Sequence, residues 1–185
     1  MVLLAGGTGP HTLLSIAGFE LLPYFSTKEA CTLRLVCREF VGAIADVRWN
    51  DTETRINRDL GKWRACFPRA RAANVRGRRD LVGADFVHLA GLHTLNMSWC
   101  YLDTITNAAF AHLHGIHVLN MSHCNQDTIT DSAFSHLRGI HTLLIRFCTQ
   151  LTGAGLADLT GVKVLDASGC SQVVQDAATL VLAGL

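Results

Sequence analysis

LHTLNMSWC (92–100), IHVLNMSHC (116–124), IHTLLIRFC (140–148) and VKVLDASGC (162–170) are four versions of one phrase. Their closing cysteines, Cys100, Cys124, Cys148 and Cys170, fall at intervals of 24, 24 and 22 residues. A period in the twenties means one supersecondary unit repeated, each copy too small to bury its apolar face alone. Alternation within the phrase assigns its faces, because successive strand side chains point to opposite sides. Leu95, Met97, Leu119 and Met121 therefore point inward, and Asn96, Asn120, Leu144 and Asp166 point outward. Working outward from the cysteines, Phe86, Phe110, Phe134 and Leu156 share one position, with Leu89, Leu113, Leu137 and Leu159 three residues on. An i, i+3 apolar pair is one inward turn of helix. Thr106-Asn107, Thr130-Asp131 and Thr152-Gly153 precede these turns as polar caps.

The fold class implied by this pattern is α/β: parallel strands on a concave face and short helices on a convex face. The phrase L-x-x-L-x-L-x-x-C resembles the cysteine-containing leucine-rich repeat, in which the cysteine is usually followed by I-T-D. Ile129-Thr130-Asp131 keeps that continuation, Ile105-Thr106-Asn107 nearly does, and Leu151-Thr152-Gly153 departs from it. A degenerate earlier unit places Ala73, Val75 and Arg78 opposite Leu143, Ile145 and Cys148, so residues 70–185 read as one degenerate plus four regular repeats. Such a short solenoid binds partners along an extended surface. The expected partner-binding residues are Asn96, Ser98, Asn120, Ser122, Leu144, Arg146 and Asp166, with Trp99, His123 and Phe147 at their edge. Val181-Leu-Ala-Gly-Leu185 parallels His88-Leu-Ala-Gly-Leu92, so the last strand is expected to lack a helical cap and to be covered by another chain.

Residues 1–11 read as an N-terminal tail and 12–50 as a helical module. Thr12 to Leu22 is helix-compatible, and Pro23 ends it. Ser26-Thr-Lys-Glu29 is a capping box. Leu33, Val36, Cys37, Phe40, Ile44 and Val47 then recur at steps of three or four. Three short helices make a small core, so this module is expected to lean on a partner or on the repeats. Leu21-Leu22-Pro23-Tyr24-Phe25 and Leu33-Arg-Leu-Val-Cys-Arg-Glu-Phe40, with Trp49 trailing, resemble an F-box, although the usual L-P-x-E opening is absent. The resemblance implies adaptor contact through Leu21, Leu22, Pro23, Leu33, Val36, Cys37 and Phe40. It also implies a role as the substrate-receptor subunit of a cullin–RING ubiquitin ligase, with a Skp-type adaptor and an unknown substrate as partners. The alternative is a repeat scaffold inside a larger assembly.

Between the two, residues 51–69 form a basic linker whose Ile56, Leu60, Trp63 and Phe67 predict a helix sealing the first repeat. Residues 55–79 carry nine Lys or Arg against Asp59 alone, yet the chain as a whole has a formal charge of +1. Nucleic-acid binding through this segment is a minority reading, because aromatics for base stacking are few and the apolar stripe already marks a packed helix.

Several chemistries find no candidates. Cysteines stacked along a sheet do not converge on a metal, and buried structural thiols of a reducing compartment fit them better. The expected location is therefore cytoplasmic or nuclear. The registers His88/His112/His136 and His93/His117/His141 lack any carboxylate in phase and read as surface positions copied by duplication. Gly6-Gly-Thr-Gly9 lacks the βαβ context of a phosphate loop. No nucleophile–base pair is recognisable, so the expectation is a non-enzyme without cofactor.

Overall fold

The computed structural model describes residues 21–35 and 38–184. The glycine-rich start and most of the Thr12–Leu22 segment lie outside these residues, as do Val36 and Cys37. The chain is α/β, built on a five-stranded parallel sheet in the order β1 (Ala72–Asn74), β2 (Thr94–Asn96), β3 (Val118–Asn120), β4 (Thr142–Leu144), β5 (Val164–Asp166). The register matches the phrase alignment, with Ala73, Leu95, Leu119, Leu143 and Leu165 paired in succession. Each strand is only three residues long because the next residues turn away, and the unit returns through an apolar segment on the far side. Leu95, Met97, Leu119, Met121, Leu143 and Ile145 are fully buried, and so are Phe86, Phe110 and Phe134 behind them.

The returning segments are short helices, as expected, of the tighter kind. Gly83–Leu89, Asn107–Leu113, Asp131–His136 and Ala154–Asp158 are 3-10 helices. The tighter winding brings i and i+3 into line, so each Phe/Leu pair lies squarely inward. Of the expected caps, Thr130 accepts from Ser132 N–H within its own unit, and further bonds run between units. Asp131 accepts from the backbone N–H groups of Thr152 (2.9 Å) and Gly153 (2.8 Å) in the next unit. Asn107 and Thr130 exchange two bonds of 2.8 Å across the preceding junction. Thr106 makes no side-chain cap at all.

The cysteines tie units together in the same way. The thiols of Cys100, Cys124, Cys148 and Cys170 donate to the carbonyls of Val75, Met97, Met121 and Ile145, at 3.0–3.2 Å. Burial pushes the Cys148 thiol up to about 12 and Cys124 well above its usual range. In the first unit Arg78 stands in the cysteine position. It is buried, donates to the Arg58 carbonyl (3.0 Å) and forms a bidentate pair with Asp80.

Two expectations about the ends need correction. The predicted linker helix is shorter, spanning Leu60–Cys66 (α3), with Asp59 accepting from Lys62 N–H at its start. Ile56 precedes it in extended chain: its N–H donates to the Asn74 carbonyl (2.8 Å), beside an Arg55–Asn74 bridge that extends the sheet past β1. The four apolar residues of the stripe are nevertheless all buried. At the other end, the last unit carries an α-helix, Gln172–Ala183 (α4), capped by Ser171 and packed on Ala154–Asp158 and β5. Val174 and Ala178 fill the place expected to be bare. The repeat phase concealed this helix, because residues 181–184 copy a stretch that elsewhere ends a 3-10 turn.

Ahead of the sheet, α1 (Thr27–Leu33) opens with the Ser26/Glu29 capping box and α2 covers Arg38–Asp46. This module leans on the linker and the head of the sheet, as its small size requires. Asp51 accepts from Thr27 N–H (2.7 Å) and hydroxyl (2.8 Å), and Arg34 donates to the Cys66 carbonyl. Burial raises the Asp51 carboxyl, but bonds from Thr54 and Thr27 outweigh it and hold the group at about 2. Trp49 sits edge-on to Phe67 and donates to Ile44, while its carbonyl accepts from Arg71 and Ala72 at the head of β1.

Candidate functional site

The outward positions of successive strands form a row on the open face of the sheet: Asn74, Asn96, Asn120, Leu144 and Asp166, each paired with the next. Asn96, Asn120, Leu144 and Asp166 are partly exposed, as the alternation requires. Two expected members of the surface are not on it. Ser98 and Ser122 are buried, and each bonds to the Asn two residues earlier. Asn96 Oδ1 accepts from Ser98 N–H (3.1 Å) and hydroxyl (2.8 Å), and Asn120 Oδ1 accepts from Ser122 N–H (3.0 Å). These short side chains fold the backbone into turns of their own. Arg146, at the same position, stays exposed and pairs with Asp166. That bond holds the Arg146 guanidinium above its ordinary range. On Asp166, burial acts upward but the bonds from Arg146 and Ser168 prevail, keeping the carboxyl low.

The edge of this face carries its most unusual feature. Trp99, His123 and Phe147 have φ values of 63°, 60° and 56°. A bulky residue in the left-handed region is a genuine outlier, and non-glycine residues held there cost on the order of 1–2 kcal/mol each. The three rings stack. Trp99 and His123 have centroids 3.7 Å apart at 13°, and His123 and Phe147 4.6 Å at 16°. Trp99 and Phe147 remain about half exposed, at 52% and 48%. Stacking recovers part of the backbone cost, but glycine would remove it. Gly77 and Gly169 occupy the same position in the first and last units. Beside the rings lies a cavity of about 500 Å³ lined by Arg79, Trp99, Tyr101, Leu102, His123 and Asn125. Arg79 and Tyr101 were not among the expected residues. Their shared offset of two from Gly77 and Trp99 in the repeat was the signal that could have found them.

A second ladder crosses the strand entries, where His93, His117 and His141 stack at 4.5 and 4.6 Å. Arg71 and Lys163 hold the same position in the flanking units, so a cation stands at each end. Burial, then His117, then Arg71 lower the pKa of His93. Stacked rings do not converge, and among the described residues no three His, Cys, Asp or Glu side chains are grouped as a metal would need.

On the helical module the expected adaptor anchors divide. Leu22 and Phe40 belong to the core, at 0% and 7% exposure, and Leu33 is half-buried. Leu21 and Pro23 are exposed, as are Tyr24, Phe25, Leu35 and Val41, which sequence reasoning left out. Small helices must spend their best apolar residues on their own core, so the outer residues are what a partner meets. The basic segment divides similarly. Arg64 is half-buried and donates to the carbonyls of His88, Ala70 and Ala90, and Arg69 pairs with Asp46. These contacts, with the burial of Arg78, take part of the segment out of any phosphate-tracking surface.

No family model matches the chain, and no curated protein matches it. Among the described residues no helix is long and apolar enough to cross a membrane.

Proposed function

We propose that this chain is a non-enzymatic binding protein of the leucine-rich-repeat type, carrying an F-box-like module and acting as the substrate receptor of a cullin–RING ubiquitin ligase. The observation that carries the binding role is the aromatic ladder. Three units in succession keep a large ring at a backbone position that disfavours it, the outer two about half exposed, while the flanking units use glycine there. Strain retained on an exposed surface points to a function for that surface, and Trp, Tyr and Arg are the residue types that dominate interfaces. The adaptor role is supported by the apolar residues Leu21, Tyr24, Phe25, Leu35 and Val41, all exposed on a module of a few short helices. These are the apolar side chains a partner docking on this module would meet. The receptor thus has two separate surfaces, one for the ligase and one for the substrate.

Affinity capture from a cell extract tests both. The wild-type protein should recover a Skp-type adaptor and a cullin. Leu35→Glu with Val41→Glu should lose the adaptor and keep the substrate, whereas Trp99→Ala with Phe147→Ala should do the reverse. Recovery of a stoichiometric assembly with neither adaptor nor cullin would overturn the receptor role and leave a scaffold.

A further inference from the structure

The aromatic ladder ends differently on its two sides. Gly169, at φ 77°, follows Phe147, and a Cβ built there would strike the Phe147 ring, which therefore lies against that glycine. Gly77, at φ 64°, precedes Trp99, but a Cβ there would meet only the Arg55 Nη2 at 3.4 Å. Trp99 is thus covered by His123 on one face, and among the described residues no other ring or guanidinium stacks on it. The ladder is one ring short at this end. The cavity beside Trp99 is lined by Arg79 and by no carboxylate. Neither Arg79 nor Arg55 has an acidic partner among the described residues, in contrast to Arg78 with Asp80 and Arg146 with Asp166.

We infer that the open face of Trp99 is the seat for an aromatic side chain of a partner protein, next to an Asp or Glu held by Arg79. This assignment rests on the protein-binding reading of the face and names the segment it takes: an extended acidic peptide with one aromatic residue. The ring supplies the missing rung, stacked on Trp99, and the carboxylate answers the Arg79 guanidinium, which has no acidic partner among the described residues. The neighbouring row favours a peptide main chain. Asn96 and Asn120 turn their side-chain oxygens inward onto the turns, and their amide N–H groups have no partner among the described residues. Those donors suit peptide carbonyls. A nucleic-acid strand fits less well. Rungs 3.7 and 4.6 Å apart leave no slot for a base, and the row beyond Arg79 continues with Tyr101, Asn125 and Thr149 rather than with cations.

Selection of a random dodecapeptide library on the full chain tests the assignment. Trp49 and Trp63 are buried, so a change in tryptophan fluorescence on adding a selected peptide reports Trp99. The expected consensus is an aromatic residue adjacent to Asp or Glu. Trp99→Ala and Arg79→Ala should each weaken a selected peptide by about tenfold or more, and replacing its acidic residue by Gln should do the same. Circular dichroism confirms that each variant is folded. Absence of such a consensus, equal binding by Trp99→Ala, or polyuridine binding that depends on Trp99 and displaces the peptide would each overturn the assignment. If the consensus fails while capture from extract still depends on Trp99 and Phe147, the peptide assignment alone falls. If the consensus appears but no adaptor is recovered, the ligase role alone falls.

Discussion

Replacing Phe147 by glycine should cost less stability than replacing it by alanine, the reverse of the order in a helix or strand. Both changes remove a half-exposed ring and its stack on His123. Half of a full phenylalanine burial is about 1 kcal/mol, and the stack adds about 0.5–1.5 kcal/mol, so alanine should lose about 2 kcal/mol. Alanine keeps φ near 56° and its strain. Glycine releases about 1–2 kcal/mol of that strain but gains freedom in the unfolded chain, which costs about 0.5–1 kcal/mol. The difference leaves Phe147→Gly about 0.5–1 kcal/mol more stable than Phe147→Ala. Urea denaturation with a shared m value measures it. If alanine is equal to or better than glycine, the left-handed backbone is not strained, and the case for a functionally retained ladder collapses.

The remaining predictions concern the rest of the framework. Burial raises the thiols of Cys100, Cys124, Cys148 and Cys170. In the native protein these four should resist iodoacetamide under conditions that label the partly exposed Cys31 and Cys66, as read by peptide mass spectrometry. Asp131→Ala should destabilise the protein by about 1–2 kcal/mol, because it leaves the N–H groups of Thr152 and Gly153 without their cap; a change under a few tenths in urea denaturation would contradict the inter-unit cap. Burial also acts upward on the Asp131 carboxyl, yet bonds from Thr152, Gly155 and Gly153 keep its pKa below 3.8. Its contribution is therefore present above that pH and is lost as pH falls toward the folded value. The pKa of His93 is likewise lowered in the folded state from 6.5. Unfolded chain then binds the proton more readily, so stability should be full above about pH 6.5 and decline as pH falls below it. The His93→Gln variant should show a smaller drop in urea midpoint between neutral and mildly acidic buffer.

The phase of the repeat carried the parallel sheet, its register and the core positions of the strands and of the Phe/Leu pairs behind them, because inward positions answer to one requirement, burial. Outward positions answer to local chemistry as well. Ser98 and Ser122 alternate outward on paper, yet both are buried, whereas Ser168, with the same bonds to Asp166 in the last unit, is exposed, so burial there depends on the unit that follows. The 3-10 winding of 107–113 was equally hidden, since Phe110 and Leu113 satisfy either helix type with the same i, i+3 spacing. The helix at 172–183 begins where Ser171 supplies a cap, but its tail copies the phrase at 88–92 and so read as the start of another unit. Trp99, His123 and Phe147 were legible as exposed rings. Their stacking and left-handed backbone were not, because both depend on how neighbouring units meet.

The spacing of rings measures the shape of a junction between units. Strand neighbours stand about 4.8 Å apart, whereas Phe86 and Phe110 on the far side have centroids 6.3 Å apart, and the exposed rings approach to 3.7 Å. The junction between these two units is therefore a wedge, thick at Phe86 and Phe110 and thin at Trp99 and His123. A wedge bends the stack toward its thin side. The angle at this junction then follows the side-chain volume behind the sheet, and Phe110→Leu would narrow the wedge and spread Trp99 from His123 without touching either. Under the proposed binding role, affinity at the ladder becomes adjustable from the opposite side of the molecule, through buried residues.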